Sequence, residues 1–503
     1  MTKSPDAVLG IDIGTSSSKG VLVALDGRIL RTATREHSVS RPFPGQVEMD
    51  GELWWREFVE LAIELTGGGT ETVVAVGVSG MGPCVLLADD DGNALRPAIL
   101  YGVDSRATTQ IDRLNRELGA DHILERCGSA LSSQAVGPKL AWVADNEPDV
   151  WTAARKLFMP ASWLVWNLTG RYLLDFHSAS QCTPLFDANS LDWYSPWTDL
   201  IAPGLELPEL RWPGELAGHT ARPIAGIPAG TPVIAGTIDA WSEAISIGAQ
   251  TPGDLMLMYG TTMFLVLTLD APATEPSMWG TVGALEGTRN LAGGMATSGA
   301  ITAWLRELTG EDYPVLVAEA AAAGVGAGGI LMLPYFAGER TPIQDPDARG
   351  TIAGLNLSTT RGDLYRAALE ATAYGVRHNV ETMTRAGAVA RRVIAVGGGT
   401  QGDLWPQVVS NVTGLAQSIP TVTIGASFGA AFLAAGLVST PDIADWNPVD
   451  RVVTPDPRAA ESYDELYSLY LALYPATAPI SHRLAEFQRA LATADNGLES
   501  SKK

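Results

Sequence analysis

Asp12-Ile13-Gly14-Thr15-Ser16-Ser17-Ser18-Lys19 puts a carboxylate at the end of an apolar run, then a turn of glycine and hydroxyl residues, then a lysine. Such a turn offers backbone N–H groups, hydroxyls and an ammonium to phosphate oxygens, and the carboxylate can hold Mg²⁺ through water. The spacing is not that of a Walker loop, which needs Gly-Lys-Ser/Thr, and a plain hairpin with a turn aspartate has the same letters. Farther on, Asp239 follows the apolar run Val233–Ala235 and Gly236, with no other acid until Glu243. Phosphoryl transfer to an alcohol asks a protein for positioning, charge neutralisation and one base. Asp239 fits that base, although a helix N-cap is the commoner use of such an aspartate. A third stretch, Val393-Ile394-Ala395-Val396-Gly397-Gly398-Gly399-Thr400-Gln401-Gly402, reads as strand, glycine turn and helix, where the backbone can approach a nucleotide closely. Its G-x-G-x-x-G spacing also matches a dinucleotide turn. A Rossmann unit carries an acid roughly 20 positions on for the ribose, yet no Asp or Glu stands between Asp403 and Asp442, so the adenosine of ATP is the better occupant.

One motif competes. Gly425-Ala426-Ser427-Phe428-Gly429 has the G-x-S-x-G form of a hydrolase elbow, and Ser427, Asp442 and His482 even follow in hydrolase order. His482 falls in an amphipathic helical segment, however, and an esterase leaves Asp12, Asp239 and their turns without a use. The remaining histidines show no spacing suited to a metal site.

The elements that must position these residues alternate. Val8 to Thr32 reads as a meander of strands with Asp26-Gly27 as a hairpin turn, and Gly253 to Asp270 repeats the unit. The two hairpins share Gly14-Thr15 and Gly260-Thr261, which suggests an ancient duplication. Helical patterns at Glu52–Leu65, Ala107–Leu118, Arg361–Arg377 and Ser427–Ala435 alternate with strands at Val73–Val78, Leu157–Met159, Ile330–Leu333 and Val393–Val396, an α/β architecture. Thr360 with Asp363 forms a capping box for the Arg361 helix, and the amphipathic tail is expected to break at Pro475. At 503 residues the chain exceeds one ordinary core, and the boundary is placed near Ala249–Pro252, giving domains 1–249 and 250–503.

Hydrophobic residues are 46% and charged ones 18%, a globular balance, while a net charge of −22 repels nucleic acid and anionic membranes. Cys84, Cys127 and Cys182 are odd in number and far apart, which fits neither a disulfide framework nor zinc and points to a reducing cytoplasm. Acids at Asp6 and Asp12 interrupt the N-terminal apolar stretch, so it lacks the core of a secretory signal. The uncharged run from Ala320 to Gly338 is broken by Pro334 and is read as buried interior.

Taken in order, Asp12-x-Gly14-Thr15, Asp239, Gly260-Thr261-Thr262 and Gly397-Gly398-Gly399 resemble the FGGY carbohydrate kinases of the actin, hexokinase and heat-shock ATPase superfamily. Gly338-Glu339-Arg340-Thr341-Pro342, Arg366-Ala367 with Glu370, and Tyr467 to Pro475 agree, so the resemblance runs from about Val8 to Pro475. It implies two ribonuclease-H-like domains with ATP and sugar meeting in the cleft between them. By that resemblance Asp12, Gly14, Thr15, Ser16 and Lys19 with Gly260, Thr261 and Thr262 hold the ATP phosphates, and Asp12 lies by Mg²⁺. Gly398, Gly399 and Gln401 border the adenosine, and Asp239 deprotonates the sugar. The substrate contacts it implies, besides Asp239, are Met81, Gly82, Tyr101, Asp104 and Arg106. Within the family the xylulokinase branch is most similar, through Val78-Ser79-Gly80, Leu95 to Leu100 and Asp104-Ser105-Arg106. Where that branch has Gln-Met-His-Gly, this chain has Met81-Gly82-Pro83-Cys84, and Tyr101-Gly102-Val103-Asp104 replaces Trp-Asn-Asp. A lost hydrogen-bonding side chain removes discrimination. The expected partner is therefore a small sugar: a pentulose or another ketose, with a tetrulose, polyol or sugar acid as alternatives. A non-catalytic ATP-binding switch is the other reading, and a homodimer is one expected assembly.

Overall fold

The computed structural model describes residues 5–500, with side chains to residue 491. It separates into two compact units: Met1–Pro252 with Thr268–Leu291 and Thr421–Pro448, and Gly253–Leu267 with Ala292–Pro420 and Val449–Lys503. Each is a mixed α/β unit built on one large sheet.

In the first unit, β1 (Asp6–Ile13), β2 (Ser17–Ala24) and β3 (Ile29–Glu36) form the expected antiparallel meander, with Asp26-Gly27 in the second turn. The apolar run of β1 is buried almost throughout, as a central strand covered on both faces must be. On its other side β1 pairs in parallel with β4 (Thr72–Gly80). Beyond lie β5 (Leu216–His219) and β6 (Pro232–Ile234), and β7 (Thr237–Ile238) pairs with the end of β4, giving the order β5-β6-β4-β1-β2-β3.

The second unit repeats this path. Its sheet holds β8 (Asp254–Tyr259), β9 (Met263–Leu269), β10 (Arg289–Met295), β11 (Arg392–Val396), β12 (Gln417–Pro420) and β13 (Val449–Val453), in the order β10-β9-β8-β11-β12-β13 with Trp279–Val282 as the edge beyond β10; Thr268–Leu291, which includes the end of β9 and the start of β10, is counted with the first unit. In both units the central strand makes an antiparallel hairpin on one side and is followed on the other by two parallel strands and an antiparallel edge. A shared topology over five strands supports duplication far better than two matched letters do.

The helix Ala426–Ala435 belongs to the first unit although it comes late in the chain. Its small side chains let it lie directly on the sheet. A Cβ on Gly10 would stand 2.0 Å from the carbonyl oxygen of Ser427, and one on Gly77 2.0 Å from that of Ala430. Only glycine permits this approach.

In the second unit the capping box forms as expected: Thr360 accepts from the Asp363 N–H while the Asp363 carboxylate accepts from the Thr360 N–H, opening the helix Arg361–Arg385. The expected break at Pro475 does not occur. One helix runs from Ala460 to Ser500 through Pro475 and Pro479. Contacts on both sides of the prolines offset the lost backbone hydrogen bonds: the Tyr470 and Tyr335 hydroxyls bond at 2.8 Å, Tyr474 donates to Asp345 at 2.6 Å, and His482 meets the same carboxylate at 2.7 Å. Among the described residues, no helix is long and apolar enough to cross a membrane.

Candidate active site

Register builds the first half-site. β4 lies between β1 and β7, so Asp12 pairs with Ser79 on one side and Thr237 pairs with Ser79 on the other. Asp12 and Asp239, far apart in sequence, thus stand at neighbouring strand ends. The Ser79 hydroxyl donates to Asp12 Oδ1 at 2.8 Å, and Lys19 is the cross-strand partner of Asp12 in the β1–β2 hairpin. Gly14 closes the turn by donating to the Ser17 carbonyl at 3.1 Å. Asp12 Oδ2 lies 4.0 Å from where a Gly14 Cβ would be. The same Cβ would stand 2.7 Å from the Ser17 carbonyl oxygen, so the turn calls for glycine. His37 braces the turn from beneath, with one ring nitrogen 3.0 Å from the Gly14 carbonyl and the other 2.9 Å from Glu57.

Asp239 opens the helix Asp239–Ser246, and its Oδ1 accepts from the Ala240 N–H at 2.7 Å. Two contacts fix that helix. Buried Asp175 accepts from the Thr237 hydroxyl at 2.9 Å, and Ser242 donates to the Ala426 carbonyl at 2.7 Å, clamping the helix to Ala426–Ala435. Glu243 lies one turn beyond Asp239. Burial raises all three, and repulsion adds to it for two: Asp12 by burial and then the Asp239 charge, Asp239 by burial against the Ala240 N–H, and Glu243, to about 7, by burial and the Asp239 charge, with Lys19 opposing. With Lys19 alone set against three acids, these carboxyls are poised to take up a proton.

The expected substrate residues border this turn unevenly. The Thr15 hydroxyl bonds the Tyr101 hydroxyl at 2.8 Å and lies 3.7 Å from the Met81 sulfur, and the Met81 N–H donates to Ile13. The expected phosphate turn and sugar loop therefore touch at Thr15. Gly82 follows Met81 with its own Cβ position 2.7 Å from Ile238 of β7. The side chains of Asp104 and Arg106 are both buried, the guanidinium forked onto Asp104 and reaching Glu48 at 2.7 Å, so they bond each other and the 47–48 segment. Their donors frame the loop and are already used.

The second half-site has the same design. The Gly260 N–H closes onto Thr262, and the start of the helix Gly299–Thr309 donates to the Gly260 and Thr261 carbonyls at 3.0 and 3.1 Å. Alongside, β11 is followed by Gly397, which takes φ +98° with its Cβ position 2.5 Å from the Tyr259 carbonyl. Gly398 to Gln401 form a 3₁₀ turn; a Cβ on Gly398 would meet nothing within 4 Å, whereas one on Gly399 would strike Trp405. Gly398 thus has open space over it and Gly399 a ring wall. Gln401 is exposed.

The esterase arrangement does not form. Ser427 is buried, Asp442 caps the Ala444 N–H and His482 is held by Asp345. Sequence reasoning gave no role to Ser79, Asp175 or Glu243. Only Glu243 carried a usable signal, its i+4 spacing from Asp239 on a helix.

Two family models cover the chain: the N-terminal domain of the FGGY family of carbohydrate kinases over residues 7–246 and the C-terminal domain over residues 255–437. The chain belongs to the FGGY family of carbohydrate kinases. It is an enzyme of the sugar-phosphorylating class. Its relatives include a xylulose kinase of Escherichia coli, 28% identical over 94% of this chain and 99% of the relative, and a glycerol kinase of Nocardia farcinica, 31% identical over 88% and 92%. The crystal structure of a xylulose kinase from Rhodospirillum rubrum superposes with a TM-score of 0.88 at 31% identity, covering 95% of this chain and 100% of that one. The expected α/β architecture of two sheet-cored domains holds for this kinase.

Proposed function

We propose that this FGGY kinase transfers the γ-phosphoryl group of ATP to a hydroxyl of a small ketose, a pentulose first among them, with Asp239 as the base. The observation that carries the reading is Asp239 itself: a carboxylate at the first turn of a helix, one oxygen held by the Ala240 N–H, raised by burial and adjoining a strand-end aspartate at a glycine-hydroxyl turn. In the transfer, Asp239 accepts the acceptor's hydroxyl proton while that oxygen bonds the γ-phosphorus and the bond to the ADP oxygen breaks. Gly14, Thr15, Ser16 and Lys19 with Gly260, Thr261 and Thr262 hold the phosphates, and Gly398, Gly399 and Gln401 border the adenosine. Met81, Gly82 and Tyr101 face the sugar, with Asp104 and Arg106 shaping their loop.

Mg²⁺ fits Asp12. Among the described residues no group of three or more acids, histidines and cysteines could cage a metal, and one carboxylate plus water and phosphate oxygens is the usual setting of this ion. When bound it would neutralise phosphate charge; Asp12, oriented by Ser79, would hold it. The xylulose kinase relatives favour a pentulose, and the glycerol kinase relatives keep a polyol as the second reading.

The test is ADP release with Mg-ATP over ketopentoses, tetruloses, polyols and sugar acids, beside Asp239→Asn. A ketose hit lost in the variant is expected. A polyol hit would move the assignment to that class, and silence across the panel with ATP still bound would favour a non-catalytic switch.

A further inference from the structure

The first unit contains a cavity of about 60 Å³ lined in part by Arg126, Ala188, Thr281, Arg289 and Asn290. None of these residues belongs to the strand ends that carry Asp12 and Asp239. Two polar groups on its walls are unsatisfied. Thr281 is 6% exposed and its hydroxyl has no hydrogen-bond partner, and the buried Arg289 Nε has none either.

Arg289 is the anomaly. Its two terminal nitrogens donate to the Thr288 and Ala188 carbonyls at 3.0 and 3.3 Å, and among the described residues no acid pairs with it. Burial accordingly lowers its pKa, with no acid opposing. The chain has 56 acids against 34 lysines and arginines, so a basic side chain lacking an acid is unexpected on numbers alone. Arg126 on the same wall shows the ordinary outcome: it pairs with Asp187 at 2.5 Å and lies over the Tyr194 ring at 3.8 Å. A guanidinium withdrawn from water without a counter-charge is costly, and so is a buried hydroxyl without a partner. One oxyanion would satisfy both, since the planar fork of arginine matches tetrahedral and carboxylate oxygens and Thr281 adds a neutral donor.

We propose that this cavity binds a phosphate-sized oxyanion between Arg289 and Thr281, apart from the turns assigned to ATP. The volume holds one phosphoryl group. Two sources share that chemistry: free inorganic phosphate, and the phosphoryl end of a phosphorylated sugar whose carbon chain stays outside.

Calorimetric titration of the full chain with inorganic phosphate tests the site, comparing wild type, Arg289→Gln and Thr281→Val. Phosphate that binds at the Asp12 turn is common to all three proteins, so only the differences count. Arg289→Gln should weaken binding roughly tenfold to a hundredfold, the range of a charge-assisted hydrogen bond, and Thr281→Val about threefold to tenfold. Thermal unfolding in phosphate-free buffer reports whether each variant folds, and the shape-conserving Thr281→Val keeps the test decisive should Arg289→Gln not fold. Equal affinity in all folded proteins, or no binding to wild type at millimolar phosphate, overturns the proposal. Repeating the titration with a ketose phosphate separates the sources: tighter Arg289-dependent binding names the sugar phosphate, and binding no tighter than phosphate names the free ion.

Discussion

Asp12 and Asp239 stand at the ends of strands on either side of β4, and that adjacency fixes what each can do. Asp239→Asn keeps the shape and removes the base, so turnover should fall by roughly 10²- to 10⁴-fold while the protein stays folded. Since burial raises Asp239 to about 6, the acid limb of kcat/KM should lie near pH 6, activity dropping as the base is protonated below it. A limb near pH 4 would mean that the carboxylate behaves as an ordinary solvated one. Stability should move oppositely. Asp12 is raised toward about 8, above its unfolded value of 3.8, so the folded state binds its proton more tightly. Its cost to the fold is absent below pH 4 and grows as pH rises toward 8. Asp12→Asn should therefore raise the metal-free Tm at pH 8, by ~1–3 kcal/mol in stability, and leave it unchanged near pH 4. Equal Tm values for the two proteins at pH 8 would contradict this.

Placing those residues is the work of whole elements, above all the helix Ala426–Ala435, which is clamped to the Asp239 helix through Ser242. Gly77→Ala would drive a Cβ into the Ala430 carbonyl and push that helix off the sheet. A loss of ~3 kcal/mol or more is expected in chemical denaturation, whereas Gly402→Ala, whose Cβ meets nothing within 4 Å, should stay within about 0.5 kcal/mol. This helix also marks where reading the sequence stopped. The hairpins, the Thr360 cap and the glycine turn were legible, because turn residues, capping pairs and apolar alternation are local signals. A helix that is apolar on nearly every side has no stripe to say which face covers what. The roles of Ser79 and Asp175 were unreadable for a related reason: they arise from strand register and from a hydroxyl contact with Thr237, which only the folded sheet creates. The Pro475 break failed because residues remote in sequence, Tyr335 and Asp345, hold the helix on both sides.

For the molecule as a whole, charge opposes the proposed reaction. A net −22 repels ATP at a distance, so added salt should speed its capture: kcat/KM for ATP should rise by about two- to fivefold between 10 and 100 mM ionic strength. The usual fall with salt would mean that the local field at Lys19 outweighs the rest. One further consequence follows from the return of Thr421–Pro448 to the first unit. A ribosome adding about 5–20 residues each second spends on the order of tens of seconds between residue 252 and residue 448. Through that interval Gly10 and Gly77 lie uncovered on the nascent sheet. The half that begins first is thus completed late, and a premature stop before residue 421 would release a sheet without its lid rather than a finished N-terminal domain.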